Sequence, residues 1–308
     1  MKQQKYDLIG DIHGYADKLE LLLAELGYAE RGGVYAHPER RAVFLGDLVD
    51  RGPRILDTVR LVRAMVEAGS ASMVMGNHEF NALAWNTPDG NGGHLRPHNE
   101  KNLHQHGETV RQAAEPHPAE WADHLEWFSR LPLALDFGDL RAVHASWNAD
   151  SVARFKDLEQ LGPDELARMT KKGTPDRSAR DLLVNGHEIE LPEGYAFERH
   201  DGLQFNAIRT RWWEDWEGKT YRELVFPESE HIPDIPLRPE AIAQGFGPYR
   251  EEEPPVFFGH YWLDGGRTPE PLAANVACLD YSVAKGGPLT AYRFDGEREL
   301  SPEKFVQV

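Results

Sequence analysis

One cysteine, Cys278, stands in a chain of 308 residues, so no internal disulfide framework exists and a reducing, cytoplasmic setting is expected. Long apolar runs are missing as well. Nothing approaches the ~18 residues that a membrane-spanning helix needs, and no membrane partner is expected. The N-terminal MKQQKYDLIGD has no apolar signal region, which argues against export. Positive charge is scarce: 34 Lys and Arg against 51 Asp and Glu leave a net charge of −17. That balance disfavours a nucleic-acid duplex as partner, because a row of phosphates calls for a basic face. Internal repeats and a separating linker are absent too, so a single domain over 1–308 is expected, with insertions near 86–118, 149–202 and 227–255. What remains is the composition of a soluble globular protein, 40% hydrophobic and 28% charged. An anionic substrate must then be attracted locally, by a metal or by a few placed arginines.

The stretch Val43–Pro53, VFLGDLVDRGP, organises the rest. Its apolar start reads as a buried strand, Gly46 ends it, and Asp47, Asp50 and Arg51 follow on a turn. Pro53 pre-sets a helix over Ile55–Glu67. Ligands of open α/β sheets bind at the C-terminal ends of strands, where this turn lies. The pattern recurs. A strand at Tyr6–Gly10 leads into Asp11-Ile12-His13-Gly14 and a helix over Ala16–Leu26, with Leu19, Leu22, Leu23 and Leu26 on one stripe. Strands at Ser72–Gly76, Leu140–His144 and Val256–Gly259 end in Asn77-His78-Glu79, His144 and His260.

Other segments carry less. Asn86–Pro118 is rich in Gly, Pro, Asn and His and lacks periodicity, so it reads as a long functional loop. Its His94, His98, His104 and His106 match no standard metal spacing. Trp121–Leu131 reads as a helix, and Ala149–Gly202 as alternating helices and loops. His187, without an apolar strand before it, reads as a solvated loop residue. Gln204–Trp213 reads as a strand with Arg209 and Arg211 on one face. Residues 227–255 form a proline-rich surface excursion, and Val276–Ser282 with Leu289–Phe294 a closing hairpin.

Five strand ends therefore each present a residue able to bind metal: Asp11 with His13, Asp47, Asn77, His144 and His260. Two carboxylates, an amide and three imidazoles suit Mn²⁺ foremost, with Fe, Zn²⁺ or Co as the other candidates, over Ca²⁺ or Mg²⁺. Six ligands exceed what one catalytic ion with open positions takes. They suit two divalent ions sharing a bridging carboxylate.

GDIHG (Gly10–Gly14), GDLVDRG (Gly46–Gly52) and GNHE (Gly76–Glu79), followed by separate downstream histidines, resemble the phosphoprotein phosphatase (PPP) family of calcineurin-like metallophosphoesterases. The resemblance implies an α/β fold of two mixed β-sheets packed as a sandwich and flanked by helices. It implies Asp11 and His13 on the first metal, Asp47 bridging, and Asn77, His144 and His260 on the second. It also implies His78 as general acid supported by Asp50, with Arg51 holding phosphate. Trp262 stands where many related phosphoesterases carry a second histidine, which favours the PPP branch. VFFGHYW (Val256–Trp262), CLDYSVAKGGPLTAYR (Cys278–Arg293) and NAIRTR (Asn206–Arg211) resemble bacterial symmetrical diadenosine tetraphosphatases, although those typically lack the aspartate at Asp50 and have Asp in place of Glu79.

The chemistry that follows is in-line attack of a metal-activated hydroxide on phosphorus. Arg51 forks onto phosphate oxygens, Arg209 or Arg211 adds a second clamp, and His78 protonates the departing alkoxide. The substrate class is a phosphorylated one. A phosphomonoester of a protein or small molecule comes first, because Asp50 and Glu79 have the phosphatase form. A dinucleoside polyphosphate is the alternative, with Trp212, Trp213, Trp216 or Trp262 stacking a base and Arg96 meeting a second phosphate. A non-catalytic binding module is the third reading, and the intact ligand set argues against it.

Overall fold

β1 (Lys5–Ile9) buries Leu8 and Ile9 completely and leads into α1 (Ala16–Glu25), which buries Ala16, Leu19, Leu22 and Leu23. A short, mostly exposed hairpin of β2 (Ala29–Arg31) and β3 (Val34–Ala36) precedes β4 (Arg40–Phe44). Next come α2 (Ile55–Glu67), with the bounds its apolar period predicts, β5 (Ala71–Met73) and α3 (Asn77–Asn86). α4 (Glu100–Thr109), α5 (Pro118–Phe128), β6 (Ala134–Asp136) and β7 (Arg141–Val143) follow. Three helices then run in succession: α6 (Ala149–Phe155), α7 (Pro163–Thr170) and α8 (Pro175–Asn185). β8 (Glu188–Glu190), β9 (Phe197–Glu198), β10 (Gln204–Phe205) and β11 (Ala207–Arg209) are short. The chain ends with β12 (Val256–Phe258), β13 (Val276–Cys278), β14 (Thr290–Phe294) and β15 (Phe305–Gln307).

This computed structural model describes residues 4–195, 197–198 and 204–308, with the backbone alone at 197, 198, 204 and 205. It divides into two compact units, Met1–Asn185 with Pro254–Val308, and Gly186–Glu253. No helix among the described residues is long and apolar enough to cross a membrane.

The first unit is the α/β sandwich that the motifs imply. One sheet has the order β15-β14-β1-β4-β5, the other β13-β12-β7-β6. Both are mixed. β1, β4 and β5 are mutually parallel, β14 opposes β1 and β15 opposes β14; β7, β12 and β13 are parallel while β6 opposes β7. Leu8, Val43 and Tyr292 of one sheet share a single buried cluster with Ala142, Phe257 and Ala277 of the other. Each large apolar side chain withdrawn there contributes about 1.5–3 kcal/mol. Parallel strands end on the same side. The residues after β1, β4 and β5 are thereby gathered, as are those after β7 and β12.

Three segments differ from their sequence reading. Val276–Ser282 and Leu289–Phe294 are not a hairpin, because β13 pairs with β12 and β14 pairs with β1 in the other sheet. Half of Asn86–Pro118 is helical: Asn99 caps α4 by accepting the Asn102 N–H at 2.9 Å, and a π-helical turn, Val110–Ala114, continues it. The stretch Gln204–Trp213 breaks into β10 and β11, and the strand ends at Arg209.

The second unit has its own apolar cluster of Ile189, Ile208, Trp216, Tyr221, Leu224 and Ile232, among others. Trp212, Trp213 and Trp216 are all buried, the ordinary use of tryptophan. His187 is no solvated loop residue. It is buried, its Nε2 lies 2.9 Å from the Gln244 carbonyl, and burial pushes its pKa down to about 4.

Candidate metal centre

Close approach without a Cβ makes the centre. A Cβ on Gly76 would stand 2.2 Å from Asp47 Oδ1, and one on Gly259 would stand 1.9 Å from Asp11 Oδ1. Both glycines therefore leave room for carboxylates that a larger residue would fill. Asp47 itself adopts left-handed backbone, φ 54°, as do His13, Asp50, Arg51 and His260. Such conformations cost energy in residues other than glycine and gather at functional sites. Glu79 fixes the turn after β4 to the start of α3. Its carboxylate accepts the N–H groups of Asp47 at 2.9 Å, Leu48 at 2.7 Å and Gly76 at 3.0 Å.

Asp47 Oδ2 lies at the middle: 3.4 Å from His144 Nε2, 3.7 Å from His13 Nε2 and 3.8 Å from His78 Nε2. Donor atoms of His13, Asp47 and His78 fall within 4.8 Å of one another, and so do those of Asp47, His144 and His260. Asn77 Oδ1 is 3.0 Å from both His144 Nε2 and His260 Nδ1. The two clusters share Asp47. Asp11 is buried beside the second cluster, where its carboxylate accepts the His260 N–H at 3.2 Å. His78 thus takes part in the first cluster by geometry, at a place where the motif pattern suggests Asp11.

The donors suit cations. His13 Nδ1 donates to the Val49 carbonyl at 3.0 Å and His144 Nδ1 to the Leu45 carbonyl at 2.7 Å. In its neutral form each ring therefore turns its Nε2 lone pair towards Asp47, an arrangement of acceptor against acceptor that a proton or a metal cation resolves. His13 Nε2 is buried and has no hydrogen-bond partner among the described residues. Burial and the neighbouring His78 push the His13 pKa down to about 3, which keeps its ring neutral. At His144 burial opposes charge, but the Asp47 and Asp11 carboxylates prevail and raise the pKa to about 10. Positive charge is demanded at that spot, and a proton or a metal would supply it. Burial together with Asp280 and Asp47 pushes the Asp11 carboxyl well above the usual range, a sign of crowded negative charge.

Beside the clusters lies a hydrogen-bonded chain. His78 Nδ1 donates to Asp50 Oδ2 at 2.5 Å; Asp50 Oδ1 accepts from His106 Nδ1 at 2.8 Å and Thr109 Oγ1 at 2.5 Å. Asp50 and His106 are fully buried. Burial alone would raise the Asp50 pKa, but His78 and the hydrogen bond from His106 hold it well below the carboxylate range. Burial opposes charge on His78, and Asp47 with Asp50 nevertheless raises its pKa. The sequence alone does not reveal His106 and Thr109 as partners of Asp50, because four histidines in an aperiodic stretch suggest metal ligands first. The His106-x-x-Thr109 spacing on one helical face is the signal that could have found them.

The arginines divide. The Arg51 guanidinium lies 4.0 Å from the centre of the Trp262 ring, and it has no hydrogen-bond partner among the described residues. Arg96 donates to Gln105 Oε1 at 2.6 Å, while its Nη1 is buried and without a hydrogen-bond partner among the described residues. Burial lowers the Arg96 pKa and the nearby Asp50 opposes that. Arg209 and Arg211 belong to the second unit. There Arg209 faces Glu188 at 3.6 Å, and Arg211 pairs with Glu214 at 3.3 Å and Glu228 at 2.6 Å.

A family model described as calcineurin-like phosphoesterase matches residues 5–260. The asymmetrical bis(5'-nucleosyl)-tetraphosphatase PrpE of Bacillus subtilis strain 168 is 34% identical over 192 residues, covering 59% of this chain and 75% of its own. The symmetrical bis(5'-nucleosyl)-tetraphosphatase of Janthinobacterium sp. strain Marseille is 32% identical over 299 residues, 92% of this chain and 90% of its own. A protein serine/threonine phosphatase from Saccharomyces cerevisiae with similarity to human phosphatase PP5 shares the fold, at 13% identity and a TM-score of 0.50, over 100% of this chain and 80% of that one.

Proposed function

We propose that this chain, which belongs to the calcineurin-like phosphoesterase family, transfers a phosphoryl group to water at a two-cation centre held by Asp11, His13, Asp47, Asn77, His144 and His260. The observation that carries this reading is Asp47, a residue common to two buried ligand clusters. When bound, two divalent cations, Mn²⁺ first among the candidates, lower the pKa of a water and neutralise phosphoryl charge.

The chain's own residues do the rest. Arg51 offers a planar fork to two phosphoryl oxygens. His78 Nε2 delivers a proton to the leaving oxygen: a water oxygen bonds to phosphorus, the bond from phosphorus to the leaving oxygen breaks, and its electron pair takes the proton. Asp50 holds His78 at Nδ1 so that Nε2 is the atom left to give its proton, and His106 with Thr109 holds Asp50. For Arg209 and Arg211 the ion pairs with Glu188, Glu214 and Glu228 within the second unit are preferred here over a phosphate clamp. In this reading residues 1–308 remain one catalytic domain with insertions near 86–118, 149–202 and 227–255, and the lone thiol of Cys278 suits the cytoplasm.

Two substrate readings follow. A phosphomonoester is supported by the His78–Asp50 pair, since an alkoxide leaving group needs a strong proton donor. A dinucleoside polyphosphate is supported by the two tetraphosphatases that are 34% and 32% identical to this chain over the residues that align. The test is turnover of nitrophenyl phosphate, a phosphoserine peptide and diadenosine tetraphosphate with Mn²⁺ present. Hydrolysis of at least one is the expected result, and hydrolysis of none by protein carrying two Mn²⁺ would overturn the reading.

A further inference from the structure

We infer that Lys285, gathered with Arg51 into a rim at the indole of Trp262, binds a second phosphate, one anhydride bond from the phosphoryl group under attack that Arg51 holds. The inference rests on the hydrolytic reading of the centre beside it.

Two segments build the rim, one after β12 and one after β13. The buried Asp280 carboxylate accepts the N–H of Trp262 at 2.7 Å and that of Ser282 at 3.0 Å. Leu263 N–H donates to the Asp280 carbonyl at 2.9 Å, and Ser282 Oγ donates to the Leu263 carbonyl at 2.7 Å. Three of these four hydrogen bonds cross between the segments and staple them together, and the fourth, from Ser282 N–H, tightens the turn after β13. His260, Trp262 and Ser282 all hold left-handed backbone, with φ of 71°, 57° and 61°. Strain in three non-glycine residues persists only where the surroundings over-determine it.

The staple sets the Trp262 indole 5.7 Å from the His13 ring, beside the candidate metal centre. The Arg51 guanidinium carbon lies 4.0 Å from the indole centre and Lys285 Nζ lies 4.4 Å from it. The two cations are separated by at most those distances laid end to end. That is inside the screening length of about 10 Å at 0.1 M salt, so they repel one another. The negative face of the indole offsets part of this repulsion. An anion between them would ease it further, and both cationic side chains are exposed enough to meet one. With two cations already at the ring, the indole is a poor surface for a neutral base and a good support for phosphate. Arg51 matches the planar oxygens of the phosphoryl group, and Lys285 supplies a compact point charge for its neighbour. The rim therefore selects substrates that carry a second phosphate, the polyphosphate class.

The test compares the wild type with Lys285→Ala and Lys285→Arg on two substrates, diadenosine tetraphosphate and nitrophenyl phosphate, with Mn²⁺ bound. Lys285→Ala should lower kcat/KM for the dinucleotide about tenfold, the size of one charge-assisted hydrogen bond, mainly through KM. Nitrophenyl phosphate turnover should stay within about twofold, and Lys285→Arg should restore much of the loss. Equal losses on both substrates, or no loss on either, would overturn the inference. Calorimetric titration with inorganic pyrophosphate and with orthophosphate decides the matter independently of turnover. Pyrophosphate should bind the wild type more tightly and lose about tenfold in Lys285→Ala, whereas orthophosphate should be unaffected. Equal binding of both anions by both proteins would overturn the rim even if the enzyme hydrolyses phosphoesters. A wild type inactive on both substrates with pyrophosphate binding as described would count against the hydrolytic reading alone.

Discussion

His78 is pinned at Nδ1 by Asp50 at 2.5 Å, which in the proposed mechanism leaves Nε2 to give its proton to the departing group. His78→Asn should keep both metals yet lower kcat by ~10²–10⁴-fold on alkyl phosphates, with a much smaller loss on nitrophenyl phosphate. Steady-state rates on the two esters check this, and equal losses would exclude proton donation. The sign of the pH effect also follows. An acid catalyst works below its pKa, and Asp50, together with Asp47, raises that of His78 against burial. Asp50→Asn should therefore move the basic limb of the pH–rate profile to lower pH, while metal content stays unchanged. A basic limb that does not move would show that Asp50 has no hold on the proton. His106→Ala frees Asp50 Oδ1 of a 2.8 Å hydrogen bond and should repeat part of both effects, with Asp50 in place but mispointed. His106→Gln, which keeps a donor, should recover part of the rate.

At the scale of elements, the turns carry the site. Gly76 sits where β5 gives way to α3, and an added Cβ would stand 2.2 Å from Asp47 Oδ1 and 2.5 Å from Asp47 N. Gly76→Ala must then push Asp47 aside, and elemental analysis of the purified variant should find at least one cation missing. Full occupancy would mean that the turn yields without moving its carboxylate. These strand ends were legible in the sequence because glycine before a polar ligand, after a short apolar run, is a local pattern. The partners of each strand were not. β13 and β14 are neighbours in sequence, yet each pairs with a strand distant along the chain, and only packing decides that. α4 was illegible for a different reason. Its buried residues are His106 and Thr109, followed by Ala113 in the π-helical turn, so it shows no apolar stripe. The face turned inward serves Asp50 instead of a core. His187 misled likewise, since a buried imidazole satisfied by the Gln244 carbonyl leaves no mark in the residues beside it.

For the molecule as a whole, two carboxylates and the demand for positive charge at His144 sit inside a chain whose net charge is −17. Under the proposed two-cation reading, cations help hold the first unit together as well as supplying its chemistry. A chelator should lower the Tm, and Mn²⁺ should restore it, the Tm rising with the logarithm of the Mn²⁺ concentration above the Kd. Each site adds about 2.7 kcal/mol at a hundred times its Kd. An unchanged melt by calorimetry would separate the fold from the metals. The central claim is that two cations share Asp47, and counting metal by mass spectrometry alongside turnover tests it most directly. Two cations per chain are predicted for the wild type, with loss of at least one and of nearly all turnover in Asp47→Asn. Two cations retained per chain by Asp47→Asn, with turnover at the wild-type rate, would contradict it.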